Sequence, residues 1–145
     1  MYFLKPGVKE DPVRRWLLPD RIFFGFGACH ILAGVYQRRF QDSNFRPFWI
    51  RPPEGMPGNH ILMSDGQIAF DFHGYCEYSR LVCRHSRGWA KKHPGWHATV
   101  VPVDFDLLHT ESLNARNMRG PDQYLGDPVP RAAAFLDRFD HAKFG

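Results

Sequence analysis

A chain of 145 residues, 43% hydrophobic and 15% aromatic, carries enough apolar material for the core of one ordinary domain, which excludes a disordered polypeptide. The formal charge of +4 comes from 19 Lys and Arg against 15 Asp and Glu, scattered rather than gathered in one basic tract, so nucleic acid is not the expected partner. No apolar run approaches the roughly 20 residues that span a bilayer, and Met1 to Pro6 lack a signal-peptide core, so the expectation is a single domain over residues 1–145, soluble and cytoplasmic, with no membrane partner.

The first twenty residues hold Pro6, Gly7, Pro12 and Pro19 around Val13 to Leu18, which predicts an arm with at most a helical turn. Gly25-Phe26-Gly27 breaks the pattern before a helix predicted from Ala28 to Phe40. Ile31, Leu32, Val35, Tyr36 and Phe40 form its buried stripe, and Arg38 and Arg39 sit favourably at its C-terminal end. That spacing places Cys29 in the first turn. Pro47 to Arg51 reads as a short strand closed by Pro52-Pro53 and Gly55 to Gly58.

Asn59 to Gly74 reads as a β-hairpin turning at Asp65-Gly66, a pair that tolerates the positive φ of a tight turn. A two-residue loop there pairs Met63 with Ile68, Ile61 with Phe70 and His60 with Asp71. Alternation then puts Ile61, Met63, Ile68, Phe70 and Phe72 on a core face. His60, Leu62, Ala69, Asp71 and His73 fall on the face where chemistry is expected.

Residues 75–95 show no sustained period and read as loop, with one strand near Ser79 to Cys83. Trp96 to Asp104, rich in valine, reads as a further strand. Asp106 is placed to cap a helix over Leu107 to Met118, a long loop follows around Gly120 and Gly126, and Ala132, Phe135, Leu136 and Phe139 mark a last helix over Arg131 to Phe144.

The three cysteines, Cys29, Cys76 and Cys83, are odd in number and form no CxxC pair, which fits neither a disulfide scaffold nor a thiolate zinc site. A thiol in the first turn of a helix lies where free N–H groups and the dipole stabilise its thiolate. A histidine that takes its proton and a carboxylate that orients the histidine complete a cysteine acyl-transfer triad. Cys29, His60 and Asp71 are the candidates for nucleophile, base and orienter, and Gly27, His30 and His73 are the candidates to meet the substrate. Cys76 and Cys83 read as packing or surface thiols, and the pairs Arg14-Arg15, Arg38-Arg39 and Lys91-Lys92 as solvated faces.

Gly27-Ala28-Cys29-His30-Ile31-Leu32-Ala33, Asn59-His60-Ile61-Leu62 and Ala69-Phe70-Asp71-Phe72-His73-Gly74 together resemble the papain-like and transglutaminase-like cysteine hydrolase superfamily. The resemblance spans roughly residues 21–75 and implies an α+β fold in which the Cys-bearing helix packs against an antiparallel sheet. It further implies hydrolysis or acyl transfer on a peptide, amide or thioester substrate, with no cofactor and no metal. No Gln stands a few residues before Cys29, and His30 follows it where the papain pattern has Trp. A catalytically silent binding domain of the same fold is therefore the alternative, and a metal-dependent hydrolase using His30, His60, His73, His97 and His109 with Asp71 is the third reading.

Overall fold

A computed structural model describes residues 3–142. The architecture is α+β: one five-stranded antiparallel sheet in the order β4-β3-β2-β1-β5, with helices on both faces. The strands are β1 (Arg46–Arg51), β2 (His60–Ser64), β3 (Ile68–Asp71), β4 (Gly74–Glu77) and β5 (Thr99–Pro102). The helices are α1 (Pro12–Trp16), α2 (Asp20–Phe23), α3 (Cys29–Arg39), α4 (Tyr78–Lys92), α5 (Thr110–Asn114) and α6 (Pro128–Leu136). None of the described helices is long and apolar enough to cross a membrane.

The larger core forms where α3 and α6 pack on one face of the sheet. Ile31, Leu32, Val35 and Tyr36 of α3 meet Ile61, Met63 and Phe70 of the hairpin and Phe135 and Leu136 of α6. Each such side chain, fully removed from water, contributes about 1.5–3 kcal/mol of transfer free energy. The stripe expected for α3 is thus the one it buries, and Arg38 and Arg39 close its last turn.

The opposite face, where chemistry is expected, also carries a second and smaller core. Ile50, Leu62 and Ala69 of the sheet pack there against Leu81 of α4 and Trp96. The cover is α4 itself, which replaces the loop and short strand expected between residues 75 and 95. Leu81, His85 and Trp89 recur every four residues along it. The helical period is present in Tyr78, Leu81, Val82 and Trp89 against basic residues on the other face, but these apolar residues are few and interleaved with polar ones, so the segment lacks the apolar runs that mark the other elements.

The hairpin has the predicted strands and a shifted register. Met63 pairs with Phe70 and Ser64 with Ala69, two residues away from the pairing of Met63 with Ile68. Hydrogen bonds around the turn explain the difference. Asp65 Oδ1 accepts from the N–H groups of Gln67 and Ile68, and Ser64 Oγ accepts from Gly66 N–H while donating to the Ile68 carbonyl. These bonds carry the turn on to Ile68, whose carbonyl accepts from Asp65 N–H. A shift of two residues keeps every side chain on its face, so the partition into core and site faces survives.

Three smaller corrections concern helix ends. The helix expected over Leu107 to Met118 is the short α5, capped by His109 rather than Asp106, because Asp106 Oδ1 is used by Leu108 N–H in the preceding turn. The last helix starts earlier, at Pro128 behind an Asp127 cap, and ends at Leu136. The final two positions of the predicted range ending at Phe144, like the first two of the N-terminal arm, lie outside the described residues. The arm itself is held by Arg131, which bonds Asp20 and the carbonyls of Trp16 and Leu18.

Gly66 has φ +99° with open space around its Cβ position, so a side chain there meets backbone strain and no clash. Gly66→Val should therefore lower the folding free energy by about 1–3 kcal/mol. Urea unfolding followed by tryptophan fluorescence measures this, and an unchanged midpoint contradicts the turn.

Candidate active site

Helix α3 brings its first residue to the first residue of β2. Ala28 precedes it in a non-helical conformation (φ −139°, ψ 23°) with no side-chain cap, so the first amides of α3 are left to the site. Tyr124 fixes this approach by donating its hydroxyl hydrogen bond to the Gly27 carbonyl at 2.6 Å. Cys29 is half-buried, and its sulfur accepts a hydrogen bond from the Ile61 N–H at 3.4 Å.

The adjoining strand residue, His60, is 2% exposed, and Asp71 is 4% exposed. Their Nε2 and Oδ2 atoms lie 2.9 Å apart. Continuing the observed register sets Leu62 across from Asp71, so the bonded pair is a diagonal one on the same face. The expected partners meet although the expected rungs do not. Because Nε2 bonds the carboxylate, Nδ1 is the ring nitrogen left for the thiol. The second carboxylate oxygen is also occupied: Asp71 Oδ1 accepts from the His73 N–H at 2.8 Å, with the His73 ring at 3.4 Å.

These contacts set the charges. Burial by itself would push the Cys29 thiol up, but hydrogen bonds with the side chains of His30 and His60, and their positive charge, bring it down to about 5. Burial likewise disfavours the His60 imidazolium, yet the bonds with Asp71 and Cys29 raise it to about 10. Asp71, which burial would raise, is held well below the usual carboxylate range by His60 and His73. At neutral pH the site holds a thiolate, an imidazolium and a carboxylate in sequence.

Three further residues, His85, Gly58 and Trp96, shape the site. His85 of α4 stacks its ring on that of His60, with centroids 5.2 Å apart and planes 15° from parallel, and donates from Nε2 to the Gly58 carbonyl at 2.7 Å. Burial first, then the charge of His60, depresses it to about 4, so a neutral ring roofs the imidazolium. Gly58 is in turn fixed at φ +104°, where a Cβ would come within 2.8 Å of the Trp96 indole, and Trp96 donates to the Pro57 carbonyl. His85 is absent from the residues singled out in the sequence. Its signal was the four-residue spacing with Leu81 and Trp89.

Among the expected substrate-facing residues, His30 is buried with its Nε2 donating to the Arg119 carbonyl at 2.7 Å, which turns it toward the thiol's surroundings. Gly27 and His73, like His30, line the cleft. The cleft measures about 1520 Å³ and has Cys29, His60 and Asp71 in its wall. Cys76 is half-buried beside the smaller core, its thiol raised by burial and then by the charge of Asp71, and Cys83 is exposed, as expected of packing and surface thiols. Of the histidines in the metal reading, His109 is the cap of α5. Among the described residues no three His, Cys, Asp or Glu side chains group as metal ligands.

Compared with known proteins, the chain matches no family model, no curated protein and no solved structure.

A thiol depressed to about 5 is mostly thiolate above that pH, whereas an ordinary cysteine ionises near 8.5. The rate of Cys29 alkylation by iodoacetamide should therefore rise with a midpoint near 5. In His60→Ala the midpoint should move up by roughly two units or more, because the positive partner is gone and Asp71 remains. Cys29→Ser supplies the background from Cys76 and Cys83, and coincident parent and His60→Ala profiles contradict the assignment.

Proposed function

We propose that the protein is a cysteine-dependent hydrolase or acyltransferase acting on an amide or thioester, with Cys29 as nucleophile, His60 as base and acid, and Asp71 as orienter. The observation that carries this reading is the His60–Asp71 bond at 2.9 Å, buried directly behind a half-buried thiol at a helix N-terminus. A papain-like or transglutaminase-like core is part of the proposal. Its support is the order of a Cys-bearing helix followed by an antiparallel sheet bearing His and then Asp.

The chemistry runs in two halves. The Cys29 thiolate attacks the carbonyl carbon, a C–S bond forms, and the π pair moves onto oxygen. The Cys29 N–H, at the first position of α3 where no helical partner is available, is the proposed donor to that negative charge. As the tetrahedral species collapses, the imidazolium gives its proton to the leaving amine or thiol, the C–N or C–S bond breaks, and a thioester to Cys29 remains. His60, now neutral, takes a proton from water or another acceptor as it attacks that thioester. Collapse then restores the thiolate and imidazolium. Asp71 keeps its proton off throughout and holds the ring in the orientation both halves require.

A silent binding domain remains the second reading, favoured by the lack of an oxyanion-stabilising Gln before Cys29. The two separate on Asp71→Asn. The amide can still accept from His60, so the fold should persist, but the lost charge should raise the midpoint of Cys29 alkylation by roughly one unit, less than His60→Ala does. Stopped-flow alkylation across the pH range of the transition, alongside circular dichroism to check the fold, provides the measurement. An unchanged midpoint in both variants would favour the silent domain.

A further inference from the structure

The charge of the cleft is unlike that of the chain. Ten of the 19 lysines and arginines line it, against three of the 15 acids, one of which is Asp71 itself. Among the described residues none of those ten pairs with a carboxylate. The arginines that do, Arg39, Arg131 and Arg138, lie outside the cleft.

The cations are also ordered. Arg84, Arg87 and Lys91 follow one another at three- and four-residue spacing on α4, so they share one face of that helix and line the cleft together. Seven residues of helix extend about 10 Å, the length of roughly three residues of extended chain at about 3.3 Å each. Arg84 begins the row next to the catalytic face, with its Nη2 3.4 Å from His73 Nδ1. On the other side Arg119, whose carbonyl holds His30, and Lys9, whose carbonyl accepts from Arg119, bring positive charge from the loop after α5 and from the N-terminal arm.

We infer that the cleft binds an extended acidic peptide across Cys29, with carboxylate side chains on one flank of the scissile bond met by the α4 row and those on the other flank met by Arg119 and Lys9. This rests on the triad reading above and names its substrate class. A row of separate cations suits a chain with charges at intervals better than one compact anion. A nucleic acid backbone offers no acyl carbonyl to a thiolate, whereas a peptide does.

The test is a binding measurement, independent of thiol reactivity. Fluorescein-labelled hexapeptides of matched length, one rich in Asp and Glu, one neutral and one rich in Lys, are titrated into full-length Cys29→Ala protein at 50–300 mM NaCl and read by anisotropy. A single-stranded oligonucleotide of equal charge is a fourth probe. The acidic peptide should bind best, with affinity falling as salt rises. Reversing Arg87 and Lys91 to Glu should weaken it roughly tenfold, with a smaller loss for the Gln pair, while Arg38→Glu, an exposed cation outside the cleft, should stay within about twofold. Equal binding of neutral and acidic peptides, indifference to the α4 reversal in a folded variant, or tighter binding of the oligonucleotide each overturns the inference. Acidic-peptide binding beside an ordinary Cys29 thiol would sink the triad reading alone, and a reactive Cys29 without charge preference would sink only the substrate class.

Discussion

The buried bond between His60 and Asp71 is the constraint on which the other features depend. Removing a carboxylate and an imidazolium from water costs several kcal/mol per ion, and their attraction offsets this only where the remaining lone pairs and protons are satisfied. Here they are: Oδ2 takes the imidazole, Oδ1 takes the His73 backbone, and the far side of the ring is covered by His85. The fold supplies each of these from a different element. Strand β2 brings the histidine, β3 the aspartate, the turn into β4 the His73 amide, and α4 the roof.

The third charge in the row follows from the same arrangement. With Nε2 committed to Asp71, the imidazolium presents its other nitrogen toward the start of α3, where uncapped amides and the Ile61 N–H already favour a negative sulfur. A histidine–carboxylate pair kept only for packing has no need of a half-exposed thiol at that point, nor of a cleft that reaches it. The neutrality of His85 belongs to the same logic. A second charged ring at 5.2 Å would repel the imidazolium, and burial removes that charge.

How legible this was in the sequence depended on whether a local pattern carried the information. The stripe of α3, the apolar alternation of the hairpin and the Asp65-Gly66 turn signal all arise from neighbours along the chain, and they placed Cys29, His60 and Asp71 on the right elements. The register slipped by two because Ser64 and Asp65 side chains bond the turn backbone, an effect invisible to apolar counting. It did no harm, since a shift of two preserves the faces. Helix α4 is amphipathic, with Tyr78, Leu81, Val82 and Trp89 inward and mostly basic residues outward, but its few apolar residues stand isolated among polar ones, so it is legible only from helical spacing and not from apolar runs. Missing it also meant missing the cover of the second face and the cation row, both of which exist only once Arg84, Arg87 and Lys91 are aligned by helical geometry. The Asp106 cap failed for a simpler reason, since a capping residue can serve an adjacent turn instead.

The central claim is that His60 is an imidazolium at neutral pH because a carboxylate and a thiolate flank it. The most direct measurement is a pH titration of the His60 ring nitrogens by ¹⁵N NMR in the folded protein, with Cys29→Ser as the comparison. The account predicts that both ring nitrogens of His60 stay protonated through pH 8, with deprotonation near 10, and that Cys29→Ser lowers this midpoint. A His60 ring that titrates near 6.5 in both proteins contradicts it.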